Sequence, residues 1–195
     1  MELLAPAGSI DALRAALYAG ADAIYLGGTG FNARQSAANF NFEELEEAVT
    51  LAHEYNARIY VTVNTLVNEH ELEELEEYLI KLARLNVDAF IVQDLAVAKI
   101  ARRVASNVEM HASTQMTVHN SAGIEHLKEQ GFKRVVLARE LDIKTIKEMA
   151  KKHSDIGLEV FAHGALCYAY SGQCLMSSMI GGRSGNRGAC AGPCR

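Results

Sequence analysis

Short runs of apolar residues alternate with longer stretches in which apolar and polar residues are mixed, and this alternation continues along most of the chain. Phe90, Ile91 and Val92, for example, follow one another without a polar interruption. Such runs are typical of parallel strands that are covered on both faces. The runs predicted as strands are Glu2–Ala5, Ala23–Gly27, Arg58–Asn64, Ala89–Gln93, Val108–Ala112, Arg134–Ala138 and Leu158–Ala162.

The mixed stretches have the periodicity of amphipathic helices. Leu72, Leu75 and Leu79 recur at steps of three and four residues, which places them on one face of a helix. Helices are also predicted over residues 10–19, 42–55 and 143–152. Each of these three is preceded by a residue that favours a helix N-terminus, namely Ser9, Asn41 and Asp142. The chain is therefore a repeat of strand–helix units.

Repeated strand–helix units build either a closed barrel or a doubly wound sheet. The dinucleotide-binding form of the doubly wound sheet carries Gly-x-Gly-x-x-Gly after its first strand, and this sequence does not. Polar residues follow nearly every predicted strand, as in barrels, whose active sites draw on the carboxyl ends of many strands. These residues are Asn64, Gln93, Asp94, His111 to Gln115, Arg139, Glu140 and His163.

These features predict an α/β fold of the (β/α)8 type, a TIM-like barrel that is incomplete, with about seven βα units over residues 1–163. Residues 164–195 are rich in cysteine and glycine and are expected to lie over the carboxyl-end face of the barrel. We expect the eighth strand and any further domains to be absent from this sequence. Because two strand edges are then unpaired, we also expect marginal stability or association into an oligomer.

Length, composition and charge narrow the class of protein. The chain has 195 residues, of which 49% are apolar, and this suffices for one buried core. Its start lacks the pattern of a signal peptide, and no apolar run approaches the roughly 20 residues that span a bilayer, so a cytoplasmic protein without membrane contact is expected. The net charge of −5 excludes a domain that binds nucleic acid by its overall charge. The acidic runs Glu43–Glu47 and Glu69–Glu77 are interpreted as solvated helix faces.

Four cysteines lie within the last 29 residues with the spacing C-x6-C-x15-C-x3-C. A disulfide pair is disfavoured because nothing in the sequence indicates export. Structural zinc sites usually combine two short cysteine pairs, and only Cys190 with Cys194 has that spacing. An iron–sulfur cluster needs four thiolates and tolerates irregular spacing. Spacing alone therefore favours a cluster and leaves zinc and free thiols open.

The segments around these cysteines resemble the peptidase U32 family, the collagenase-like peptidases. The resemblance covers the whole chain, and the motif of the tail is specific. The matching segments are Glu159–Cys167, Ser171–Ser177, Gly182–Arg195, Leu3–Gly8, Ala23–Gly27 and His111–Gln115. The stretches Gly27–Arg34 and Cys174–Met179 look most like the branches of the family that hydroxylate RNA.

The resemblance implies a barrel-like amino-terminal part and a 4Fe–4S cluster. It also implies oxygen-independent hydroxylation of the tRNA wobble uridine, a ribosomal RNA cytidine or a ubiquinone precursor. In the RNA branches the implied oxygen donor is prephenate, a small carboxylate. RNA is expected to bind largely through a carboxyl-terminal part that this sequence lacks.

Candidate residues follow from this resemblance and from their place at the strand ends. The cluster ligands are Cys167, Cys174, Cys190 and Cys194, with Cys194 as either the fourth ligand or a neighbour of the cluster. His163 and His111 are candidates for proton transfer, although barrel histidines are often structural. Arg139, Asn64 and Gln115 complete the predicted catalytic set, with an Arg139–Glu140 ion pair as the alternative for the arginine. Arg183, Arg187 and Ser171 are predicted to bind the cofactor or the carboxylate.

Two further hypotheses stay open. A peptidase is disfavoured because the sequence lacks His-Glu-x-x-His and Gly-x-Ser-x-Gly, and because a cysteine bound to iron cannot act as a free nucleophile beside His163. A structural module in which the metal only fixes the tail is disfavoured by the many polar strand ends.

Overall fold

The computed structural model of the chain describes residues 1–33 and 38–194. Seven parallel strands form one sheet in which neighbours in space are neighbours in sequence. The strands are β1 (Leu4–Pro6), β2 (Ala23–Gly27), β3 (Arg58–Val63), β4 (Ala89–Val92), β5 (Glu109–Ala112), β6 (Arg134–Val136) and β7 (Gly157–Glu159). The helices are α1 (Ile10–Tyr18), α2 (Phe42–Glu54), α3 (Leu72–Arg84), α4 (Leu95–Val104), α5 (Ser121–Glu129), α6 (Ile143–Lys152) and α7 (Met176–Gly181).

The sheet curls into a partial barrel, which confirms the predicted incomplete (β/α)8 fold. Alternate residues of each strand face the helices on the outside or the barrel interior. Ile24 and Phe90 belong to the large outer core, whereas Tyr60, Ala89 and Ile91 pack together inside. None of the helices in the described ranges is long and apolar enough to cross a membrane.

The three predicted helix caps are present. Ser9 accepts a hydrogen bond from the backbone N–H of Ala12, and Asp142 accepts one from Thr145. Asn41 forms a reciprocal capping box with Glu44. These bonds satisfy N–H groups that the first turn of a helix leaves without partners, which explains why the sequence located these helix starts correctly.

Several strand boundaries differ from the sequence prediction. Strands β3 and β4 end one residue early, so that Asn64 and Gln93 begin the following loops. Strand β7 spans Gly157–Glu159, whereas the sequence predicts Leu158–Ala162. Within the described residues it pairs with β6 through three residue pairs. The apolar residues after it are about half exposed instead of forming the rest of a strand. In the quoted family segments, Arg34 and Arg195 lie outside the described residues.

Charged residues join the first and last parts of the barrel at its amino end. The Glu2 carboxylate binds the Tyr60 hydroxyl of β3 at 3.0 Å and the Arg134 guanidinium of β6. Arg134 also lies 3.4 Å from Glu159 of β7 and stacks over the Tyr60 ring. Burial raises the pKa of Glu159, and Arg134 opposes that shift. Arg134 therefore compensates two largely buried carboxylates.

We predict that Arg134→Met destabilises the fold by about 3 kcal/mol, because it leaves Glu159 without this cation and leaves Glu2 with the more distant Arg58 guanidinium, 3.8 Å away. The matched control is Arg103→Met, which removes an exposed ion pair with Glu76 and should cost less than about 1 kcal/mol. Urea unfolding of both variants measures the difference. Equal losses of stability would contradict the role given to Arg134.

Candidate active site at the carboxyl ends of the strands

The segment of residues 164–194, here called the cysteine segment, is fastened to the loop after β6 by Arg139. The guanidinium donates a hydrogen bond to the Ala165 carbonyl at 2.8 Å and another to the Ser171 hydroxyl at 2.6 Å. It also lies over the Phe161 ring, 4.8 Å from the centroid. The structure does not pair Arg139 with Glu140, whose carboxylate lies 3.8 Å from His119 instead.

The same part of the cysteine segment packs against the loop after β5. The Gln173 side-chain amide donates to the Gln115 carbonyl and to the Thr117 hydroxyl, at 3.4 and 3.3 Å. Gly172 has a φ of +76°, and a Cβ at this position would lie 2.9 Å from the Gln115 side chain. Only glycine fits this close approach without strain.

The later part of the cysteine segment binds the connection between β3 and α3. Arg187 donates to both carboxylate oxygens of Glu71 and to the Leu66 carbonyl at 2.7 Å. The Leu66 N–H in turn donates to the Asn186 carbonyl at 3.4 Å. The cysteine segment therefore reaches across the strand ends from β6 to β3.

These contacts locate three residues that the sequence predicted to bind a cofactor or substrate. Arg139, Ser171 and Arg187 are all bound to other parts of the same chain. Arg183 is exposed, and its guanidinium has no protein partner within the described residues. Among Arg139, Arg183 and Arg187, Arg183 is therefore the one whose guanidinium is available to bind an anion.

All four cysteines are free and exposed. The Sγ atoms of Cys174 and Cys190 each accept a backbone N–H at 3.4 Å, from Met176 and Gly192 respectively. Both cysteines also lie beside Gly185, where an added Cβ would be 3.4 Å from the Cys174 carbonyl and 3.6 Å from the Cys190 Cβ.

N–H bonds of this kind stabilise thiolates and tune the potential of a bound cluster, so Cys174 and Cys190 fit an iron–sulfur site. Cys167 and Cys194 are not gathered with them. Within residues 1–33 and 38–194, no three His, Cys, Asp or Glu side chains form a group able to hold a metal ion.

Three polar residues stand side by side at the carboxyl ends of β3, β4 and β5. Val63 of β3, Val92 of β4 and Ala112 of β5 are paired in register. The residues that directly follow these three along the chain are Asn64, Gln93 and Ser113, and together they are here called the mouth row. Because side chains alternate along a strand, the mouth row points to the same side as Tyr60, Ile91 and His111, which is the barrel interior.

The mouth row is polar and carries no charge. Gln93 is more than nine-tenths buried, and its Oε1 has no hydrogen-bond partner among the residues that the structure describes. Asn64 accepts a bond from the Ala33 N–H at 3.0 Å, and the Ser113 hydroxyl accepts one from the Gln115 N–H at 3.3 Å. A buried acceptor without a partner is costly, so Gln93 is poised to bind a hydrogen-bond donor from a ligand.

The structure corrects the expected position of His111. Its side chain lies inside the barrel, 1% exposed, with its ring 4.6 Å from that of Tyr60. Nε2 is 3.4 Å from the Glu109 carboxylate at the amino end of β5. Burial, with a smaller effect from Arg134, lowers the pKa of His111 to about 4, so the ring is neutral near pH 7. His111 is thus placed away from the cysteine segment, whereas His163 is exposed in the loop between β7 and Cys167.

Two residues near the cysteine segment were missed at the sequence level. Glu71 belongs to an acidic run interpreted as a solvated helix face, yet its side chain is only 18% exposed and binds Arg187. His119 packs its ring edge-on against Tyr170 and bonds to the Thr117 carbonyl at 2.8 Å. No local sequence signal distinguishes either residue, because the contacts of Glu71 with Arg187 and of His119 with Tyr170 join distant parts of the chain.

Comparison with known proteins identifies the family. The model of peptidase family U32 matches residues 8–195, and the chain belongs to this family. The chain is 45% identical over 194 residues to the tRNA hydroxylation protein P1 of Bacillus subtilis (strain 168), covering all of this chain and 46% of that protein. It is 42% identical over 195 residues to the 23S rRNA 5-hydroxycytidine C2501 synthase of Escherichia coli (strain K12), covering 29% of that protein.

The chain thus spans about half the length of most of the curated relatives it matches. Among solved structures, the U32 peptidase Mk0906 superimposes with a TM-score of 0.67 at 15% identity, covering 82% of this chain and 67% of that one. At this identity the similarity supports the fold alone.

We predict that Gly172→Ala loosens the first part of the cysteine segment. The methyl group meets the Gln115 side chain, and the left-handed backbone costs alanine about 1 kcal/mol. Chymotrypsin should then cut after Tyr168 and Tyr170 several-fold faster than in the parent protein. The control is Gly181→Ala, where a Cβ meets nothing within 4 Å. Equal cleavage of the two variants would rule out this contact as a fastening point.

Proposed function

We propose that this chain is the barrel part of an iron–sulfur enzyme that hydroxylates a pyrimidine base of RNA without molecular oxygen, on tRNA or ribosomal RNA. The observation that supports the proposal is that the segment carrying the four cysteines is bonded to the loops that follow β3, β5 and β6. The relatives named for tRNA hydroxylation and for 5-hydroxycytidine synthesis supply the reaction and the class of substrate.

The thiols support a 4Fe–4S cluster as the cofactor. Cys174 and Cys190 already accept N–H bonds, and Cys167 and Cys194 lie in the same exposed segment. When bound, the cluster would supply redox chemistry or an open iron position at the barrel mouth. The chain's own contribution is to hold the thiols there and to orient the substrate below them.

The mouth row suits a pyrimidine base. Uracil and cytosine present both donors and acceptors on their edges, and enzymes that modify a base usually take it out of the helical stack into a pocket. Amide side chains match such edges, and Gln93 offers a buried acceptor without a partner. An uncharged row also avoids placing a fixed charge against a neutral ring.

The cysteine segment suits the phosphate backbone around the base. No Asp or Glu occurs after Glu159, in contrast to the acidic remainder of the chain. Tyr168 is 86% exposed, and Arg183 has no protein partner in the described chain. Exposed aromatic rings and arginine are the usual contacts for unpaired nucleotides.

The electrons of the proposed reaction balance if an oxygen donor takes part. Replacing C–H by C–OH removes two electrons from the base. A donor that gives up its hydroxyl oxygen breaks its own C–O bond and takes up the hydrogen that the base loses, so that it is reduced by the same two electrons. Prephenate is the proposed donor. Arg183 is the candidate partner for its carboxylates.

A peptidase, as the family name suggests, is the alternative function, and hydroxylation of a ubiquinone precursor is a second one. Cys167 and His163 are both exposed, but the structure shows no contact between them in the described chain. Among the residues that the structure describes, none orients them as a nucleophile and base require. RNA hydroxylation is therefore the function we favour.

The test of the function compares nucleosides from a strain that lacks the gene with nucleosides from its parent. We expect one hydroxylated pyrimidine nucleoside to disappear and to return with the full-length gene, but not with its Cys174→Ser variant. An unchanged nucleoside profile would refute RNA hydroxylation. Loss of a quinone instead would favour the ubiquinone alternative.

Purified without oxygen, the protein should contain about four irons and four sulfides per chain. Cys174→Ser should abolish iron binding, and Cys194→Ser should do so only if Cys194 is the fourth ligand. Elemental analysis and the visible spectrum measure this directly. Stoichiometric zinc without iron would exclude the proposed cofactor.

Gln93→Leu should lower the rate of base hydroxylation about 10- to 100-fold, because it removes a buried hydrogen-bond acceptor while retaining the approximate shape. The iron content should stay unchanged, since Gln93 contacts no cysteine. Gln130→Leu, on the outside of the barrel at the end of α5, is the matched control. Normal activity of Gln93→Leu would exclude Gln93 from base recognition.

A further inference from the structure

The two ends of the cysteine segment are fastened to the barrel by separate arginines. Arg139 holds the part around Ala165 and Ser171, which flanks Cys167. Arg187 holds the part that leads into Cys190 through Glu71 and Leu66. The four thiols therefore come from two parts of the segment that depend on different regions of the barrel.

Few other contacts hold the later part. Most of its residues are exposed or half-buried, so apolar burial contributes little. Its main link to the earlier part is Ser177, whose hydroxyl accepts a bond from the Ala191 N–H at 3.0 Å and lies 3.7 Å from the Cys190 Sγ. The contacts of Arg187 are thus its principal attachment to the barrel.

A second hydrogen bond helps to hold the Glu71 carboxylate in position for Arg187. One of its oxygens also accepts the Asn68 N–H at 2.7 Å, in the turn that leads into α3. The bond from Arg187, aided by the one from Asn68, lowers the pKa of Glu71 to about 2, so the carboxylate is charged at any physiological pH. A forked, two-oxygen contact fixes both the distance and the orientation of a guanidinium.

We propose that Glu71 is a positioning residue for the cluster ligands, which through Arg187 holds the Cys190 part of the cysteine segment over the end of β3. In the described part of the chain, the Glu71 carboxylate bonds to Arg187 and to the Asn68 N–H, and not to a thiol. Its effect is to keep Cys190 and Cys194 within reach of Cys167 and Cys174, whose position depends on Arg139. The inference rests on the proposed function only in that the thiols serve a cluster.

The first test measures the attachment itself, on the full-length protein treated with chelator. Trypsin can cut after Arg183 and Arg187, and Arg183 serves as an internal reference because it is already exposed. Glu71→Gln should speed cleavage after Arg187 about tenfold relative to Arg183. It should leave chymotrypsin cleavage after Tyr170 unchanged, whereas Arg139→Gln should show the opposite pattern.

Glu76→Gln is the matched control, because Glu76 pairs with Arg103 on the exposed surface of the next turns of α3. It should change neither cleavage. Arg187→Lys keeps the charge and the trypsin site but loses the forked contact, and it should give an intermediate rate. Equal cleavage of Glu71→Gln and Glu76→Gln would overturn the proposal.

The second test measures the spectrum of the bound cluster and the rate at which it loses iron. In anaerobically prepared protein, Glu71→Gln should alter the electron paramagnetic resonance spectrum of the reduced cluster and hasten iron loss to a chelator, whereas Glu76→Gln should do neither. An unchanged spectrum and iron retention in Glu71→Gln would overturn the positioning role. If trypsin shows the loosening but no preparation binds iron, the proposed cofactor fails while the attachment stands.

Discussion

The bonds from the Arg139 guanidinium are the interaction on which the candidate site depends. The cysteine segment buries few apolar side chains, and Leu166, Tyr168, Leu175, Met179 and Ile180 are all exposed. Hydrophobic burial, the main force elsewhere in the fold, therefore cannot hold it in place. Directional contacts to the Ala165 carbonyl, the Ser171 hydroxyl and the Phe161 ring do so at one end. Without them, the part of the segment that flanks Cys167 would lose its bonds to the loop after β6.

The parallel barrel brings three polar side chains together at the carboxyl ends of its strands. Alternation along β3, β4 and β5 brings Asn64, Gln93 and Ser113 to one row, and the register of the strands sets them side by side. The segment above them is free of acid, and the row below is uncharged. The acidic residues lie mostly on the outer helices. This separation of charge is compatible with the proposed substrate, a neutral base held inside a polyanion.

The sequence predicted the repeating units, the family and the helix caps, because each of these depends on residues close together in the chain. Asn41 with Glu44 is a capping box that can be read over four residues. The sequence did not predict that Arg139 and Arg187 bind other parts of the same chain. Their partners, Ala165 and Glu71, lie 26 and 116 residues away from them. It also misplaced His111, because a strand residue near the carboxyl end can still turn its ring towards the opposite end of the barrel. Long-range polar contacts leave no periodic signal.

The central claim is that the cysteine segment carries iron directly above the mouth row. Anomalous scattering at the iron edge, from crystals of the full-length protein grown without oxygen, tests it most directly. We predict a compact iron peak beside the Sγ atoms of Cys174 and Cys190, on the side that faces Asn64 and Gln93. Iron bound elsewhere, or zinc at these thiols, would contradict it.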